Sequence, residues 1–144
     1  MEQRDYILRE IEKFGAILSA ILQKIFGGNS NLVITLETQV ENAKRMLLHE
    51  TNFDLYKFLD LNTEDSNEYI CSFQGFSVEN IELLAEFIFQ TGFHDNSNIS
   101  RKYLEKALQL YELCNLKSKT YSFERETNIK AIKNVLYKKN EAEH

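Results

Sequence analysis

The sequence predicts an all-α fold of about six helices, with an N-terminal helical hairpin packed on an array of antiparallel helices. Three observations predict it. The 144 residues contain no proline, where an average usage of about 5% would supply roughly seven. Only five glycines punctuate the chain, which favours long helices over turn-rich sheets. Apolar residues recur at spacings of three and four along most of the length, the period of a helix with a buried face. With 43% hydrophobic and 27% charged residues, the composition is that of a soluble globular protein. The length suits one domain, and such a chain hides roughly 68–70% of its unfolded surface without needing disulfides or metal. The expected division is one domain over 1–144: a hairpin over 1–50, short helices and a loop over 51–76, the array over 77–139, and a frayed tail over 140–144.

The first helix is expected from Gln3 to Phe26. Ile7, Ile11, Phe14, Leu18, Ile21 and Ile25 form its seam, and Leu8, Ala16, Ile17, Ala20 and Leu22 widen it. A face that broad needs more than one neighbour. The run Gly27-Gly28-Asn29-Ser30-Asn31 ends the helix and caps the next. Val33, Leu36, Val40, Ala43 and Leu47 then predict a second helix over 31–49. A short third helix uses Leu55, Phe58, Leu59 and Leu61, with Thr51 or Asn52 as its cap, and a weaker one spans 63–73 on Tyr69, Ile70 and Phe73. Ser77 caps a helix over 78–91 that Gly92 stops, and 93–98 is expected as a loop. Ser100 caps a helix through Tyr103, Leu104, Ala107, Leu108, Tyr111 and Cys114. After a turn over 116–120, Ser122 caps a last helix built on Phe123, Ile129, Ile132, Val135 and Leu136, fraying from Lys138 onward.

Residues 83–117 resemble a tetratricopeptide repeat. Leu84, Ala85 and Ile88 fill the first helix of the pattern, Gly92 its turn glycine, and Ser100, Leu104 and Ala107 its second helix. The resemblance implies a tetratricopeptide-like, closely packed helix pair, with Ala85 and Ala107 letting the backbones approach. The sequence departs from the pattern in a longer loop, 93–98, in the lack of a proline after the second helix, and in the lack of a clear second copy. A groove-forming array needs at least about three copies. The opening Asp5-Tyr6-Ile7-Leu8-Arg9-Glu10-Ile11-Glu12-Lys13-Phe14 is similar to the start of a family of small bacterial helical proteins. That likeness implies a bacterial, cytoplasmic setting and supplies no activity.

Residues 1–99 carry 7 basic and 16 acidic side chains, whereas 100–144 carry 10 basic and 6 acidic. The net charge of −5 argues against general nucleic-acid binding. No stretch approaches the ~18–20 apolar residues of a membrane span, and Met1 to Arg9 lacks a secretory pattern. Two cysteines, Cys71 and Cys114, build no disulfide framework, so a reduced cytoplasmic location is expected. His49, His94 and His144 show no metal-ligand spacing, and Asp95-Asn96-Ser97-Asn98 fails as a calcium loop because Ser100 and Lys106 stand where glycine and glutamate belong. Ser19 and Ser72 lack a nucleophile elbow. A cysteine paired with His94 is set aside because a thiol on an apolar helix face is expected to be inert core. Glu82 and Glu86 lie one turn apart without the facing Glu-x-x-His motifs of a carboxylate metal site, so they read as a solvated face. Gly27-Gly28 lacks the lysine of a phosphate-binding loop.

The function expected is therefore a non-enzymatic protein–protein interaction or scaffold module, with no metal, cofactor or small-molecule substrate. Its partner is expected to be a protein or a second copy of the chain. The candidate interface is Ile11, Phe14, Leu18, Ile21 and Ile25 on the first helix. The alternative is an adaptor holding RNA or an acidic partner on the basic face Lys130, Lys133, Lys138 and Lys139.

Overall fold

A computed structural model describes residues 2–28, 34–94 and 100–142, with side chains described over 3–28, 34–93 and 100–137. Among the described residues the protein is all-α: α1 (Glu2–Phe26), α2 (Leu36–Thr51), α3 (Leu55–Asp60), α4 (Thr63–Cys71), α5 (Val78–His94), α6 (Arg101–Lys117) and α7 (Phe123–Ala142). The caps expected at Ser30 and Asn31, and the loop residues 95–99, lie outside the described residues.

α1 lies between two neighbours, as the width of its apolar face requires. On one side α2 runs antiparallel to it, so that Ala20 and Ile25 face Gln39 and Met46, while Tyr6 and Glu10 lie near Glu50 and Asn52. On the other side α5 is fixed by Asn80. Its Nδ2 donates to the Ile11 carbonyl at 2.8 Å and to the Gly75 carbonyl at 2.7 Å. Gly15 makes that approach possible, because a Cβ there would sit 3.0 Å from the Asn80 Oδ1. Beside this bond the Phe14 ring packs edge-on against Phe76 at 5.1 Å. Phe53 continues the cluster against Phe58, Tyr69, Phe73 and Phe76, with ring centroids 4.9–5.3 Å apart.

α5 and α6 form an antiparallel pair. Gly92 near the end of α5 meets Leu104 and Tyr103 near the start of α6, and the Cys114 thiol at the other end reaches the Val78 carbonyl at 3.7 Å. Gly92 does not stop α5, which continues to His94. Its missing side chain instead admits Leu104, whose Cδ2 would stand 3.0 Å from a Cβ. α7 runs back along α6. Asn128 donates to the Tyr111 hydroxyl at 3.1 Å, and Arg101 donates to the Leu136 carbonyl at 3.3 Å.

Several boundaries differ from the sequence expectation for local reasons. α2 starts at Leu36 because Thr35 caps it, its Oγ1 accepting the Thr38 N–H at 3.2 Å. Thr51 belongs to α2, where its hydroxyl donates to the Leu47 carbonyl. Asn52 takes the left-handed conformation (φ 65°) that closes the helix. The cap of α3 is therefore Asp54. α7 extends through Ala142, beyond the fraying expected at Lys138.

The short helices α3 and α4 are held by α6. Lys106, almost wholly buried, donates to the Leu61 carbonyl at 2.7 Å, to Ser66 Oγ at 2.5 Å and to Gln109 at 3.1 Å. Its ammonium lies 5.1 Å from the Phe58 ring centroid. Burial holds its pKa below the usual lysine value. Lys44 of α2 makes a comparable bridge, with its Nζ 4.8 Å from the Tyr56 ring and 5.5 Å from the Tyr103 ring.

Candidate functional site

The sequence-expected interface residues are engaged within the chain. Phe14, Leu18, Ile21 and Ile25 are buried in the core, and Ile11 is half-buried. α2 and α5 divide the face that they line. Ile21 and Ile25 also floor a shallow apolar groove of about 100 Å³ whose rim is Ile34 and Met46. Of the expected basic face, Lys130 and Lys133 are exposed on α7, and the side chains of Lys138 and Lys139 lie outside the described residues.

A different surface stands out where α6 turns into α7. Leu116, Tyr121 and Phe123 are 83%, 72% and 77% exposed. Phe123 was expected in the core of the last helix, but it occupies the first position of α7 and points into solvent. The turn is fixed by caps at both ends. The Ser118 N–H donates to the Cys114 carbonyl at 2.8 Å, and Ser122 Oγ accepts the Arg125 N–H at 3.1 Å. Arg125 then ties the corner together. Its Nη1 donates to Asn115 at 2.9 Å and its Nε to Glu82 of α5 at 2.5 Å. The guanidinium is buried, so its pairing with Glu82 satisfies a charge that would otherwise be costly to desolvate.

Beside this corner, α5, α6 and α7 border an open acidic recess of about 280 Å³. Glu79, Glu82, Glu86 and Glu124 line it with Leu83, and Tyr111, Arg125 and Asn128 complete its wall. Among the described residues Arg125 is the cation paired with Glu82, and no ion pair joins Glu79, Glu86 or Glu124 to a cation. Burial, and then the nearby charges of Glu124 and Glu82, hold the Glu86 carboxyl above its ordinary range, although Gln90 donates to it at 3.2 Å. The Tyr111 phenol is buried and correspondingly harder to ionise. Glu82 and Glu86, expected as a solvated face, thus do two different things: one neutralises a buried arginine, and the other shares a crowded acidic wall.

The remaining chemistry is sparse. Cys114 is buried, with burial pushing its thiol up to about 12. Cys71 is exposed rather than core, because it ends α4 on the outer side, where the Lys117 ammonium reaches its sulfur at 3.7 Å. Among the described residues no three His, Cys, Asp or Glu side chains gather as metal ligands. Among them, too, no helix is long and apolar enough to cross a membrane. Compared with known protein families, curated proteins and solved structures, the chain matches none. The corner and its recess were missed in the sequence because a leucine, a tyrosine and a phenylalanine at helix ends look the same whether they face in or out.

Proposed function

We propose that the protein is a non-enzymatic protein–protein interaction module that meets its partner at the α6–α7 corner. The observation that carries this reading is the exposure of Leu116 at the end of α6, Tyr121 in the connecting turn and Phe123 at the start of α7. Large apolar side chains gathered on a surface mark contact sites, and aromatic residues are enriched where interfaces bury them. The α5–α6 pair beneath the corner supports the likeness to a single tetratricopeptide repeat, since Ala85 and Ala107 are fully buried and Gly92 admits Leu104. A second reading, an anionic partner such as RNA on α7, is favoured by the exposure of Lys130 and Lys133. Its binding would weaken steeply with salt.

The test is site-specific cross-linking in cells. A benzophenone amino acid replaces Phe123 in one variant and the exposed Glu37 of α2 in a control. The expected result is a discrete protein adduct from position 123 alone. Equal labelling at both positions, or none at either, would overturn the reading. An adduct of about twice the 16.9 kDa chain would identify the partner as a second copy.

A further inference from the structure

Resting on that interaction reading, we propose that the α6–α7 corner and the recess beside it receive one segment of a basic protein partner, a lysine or arginine side chain entering the recess while an apolar neighbour covers Phe123. The two surfaces are continuous. Phe123 and Glu124 are consecutive on the first turn of α7, and Arg125 binds both Asn115, next to Leu116, and Glu82 inside the recess. A docking segment therefore meets apolar and acidic surface side by side.

The charge of the recess selects the occupant. Arg125 also lines the space but is paired with Glu82, and among the described residues no ion pair joins Glu79, Glu86 or Glu124 to a cation, so the lining keeps an excess of negative charge. Lys117 does not supply one, since its ammonium is directed to Cys71 on α4. The space of about 280 Å³ is several times the ~30 Å³ share of one water, so it suits a side chain better than a lone bound water. Leu83 and the Tyr111 ring give it an apolar wall, which matches the alkyl stem of lysine or arginine, while the carboxylates meet the head group. The chain's net charge of −5 adds a long-range attraction for a basic partner.

The experiment titrates the full-length ¹⁵N-labelled protein with two capped tripeptides, Leu-Arg-Leu and Leu-Glu-Leu, followed by NMR. The arginyl peptide is expected to shift the Asn128 side-chain amide and the Arg125 signals, and the glutamyl peptide to leave them unchanged. Glu124→Gln and Phe123→Ser, both at exposed positions, should each weaken binding about tenfold, the loss of one charge-assisted or apolar contact. Leu8→Ser, at an exposed position on α1, should not change it. No shift with the arginyl peptide, equal shifts with both peptides, or binding indifferent to Glu124→Gln would overturn the inference. If position 123 cross-links a protein while the arginyl peptide fails, the interaction reading stands and the basic chemistry falls. A free protein that light scattering finds dimeric, and that Phe123→Ser makes monomeric, would assign the corner to a second copy and overturn the basic partner.

Discussion

Gly15→Ala separates helix propensity from the tie between α1 and α5. In the interior of a helix this change gains about 1 kcal/mol through lower chain entropy in the unfolded state. Here the new Cβ would lie 3.0 Å from the Asn80 Oδ1, so the amide must retreat. It has little room to do so, because its nitrogen is held at 2.8 Å by Ile11 and at 2.7 Å by Gly75. Stretching these two hydrogen bonds, one buried and one partly buried, costs about 1–3 kcal/mol, so the substitution should destabilise the protein by about 1 kcal/mol net. Asn80→Ala removes both bonds and leaves the Gly75 carbonyl without that donor, a cost of about 2–3 kcal/mol. In that background Gly15→Ala meets no amide and should stabilise by about 1 kcal/mol. Urea unfolding of the four proteins, followed at 222 nm, should give a coupling of about 2 kcal/mol. Equal stabilisation by Gly15→Ala in both backgrounds, with coupling below about 0.5 kcal/mol, would show that Asn80 yields freely and that the amide does not anchor α1.

Other expectations follow from burial and charge. Leu18→Ala should cost about 3–4 kcal/mol, because Leu18 is almost wholly enclosed. Leu116→Ala at the exposed corner should change stability by less than about 0.5 kcal/mol; chemical denaturation compares the two. A thiol reagent at pH 8 should modify Cys71 at once and Cys114 only after unfolding. Because the Cys114 pKa rises from 9.0 to about 12 on folding, the unfolded chain loses its proton first. Stability should therefore fall as pH rises past 9, by about 1.4 kcal/mol at pH 10, and Cys114→Ala should flatten that slope in urea titrations at several pH values. Glu86 has a folded pKa raised above 4.5, so its ionisation costs stability as pH climbs through that window. Glu86→Gln should then raise the melting temperature at pH 7 and lose its advantage below pH 4.

Much of the architecture was legible because it rests on local rules. The seam of α1 ends at the Gly27-Gly28 run, and Ser100 and Ser122 cap the helices that follow them. The breadth of the α1 face implied two neighbours, and α2 and α5 are those neighbours. What local rules cannot supply is competition between adjacent cap residues. Thr51, Asn52 and Asp54 are all capping types, and tertiary packing of Phe53 decided that Asn52 closes one helix and Asp54 opens the next. Its residue type makes Gly92 a helix stop, whereas contact with Leu104 makes it a spacer inside α5. The candidate site was less legible still. Glu79, Glu82, Glu86 and Glu124 come from two helices, and the packing of α7, tied by Arg125 to Glu82 and by Asn128 to Tyr111, brings them round one recess.

The lysine buried beneath α3 and α4 bears on how the chain is made. Leu61 and Ser66 receive their donor from Lys106, and Asp60 is paired with Lys102, two residues that follow them by about forty positions. The middle of the chain thus waits for α6. On a ribosome, everything up to α5 emerges before the residues that complete the Leu61–Ser66 corner, and the apolar face of α5, including Leu84 and Ile88, emerges before its main partner. A fragment cut after α5 should therefore be sticky and loosely ordered, and the fold should be acquired only once α6 has emerged, as one event, rather than helix by helix.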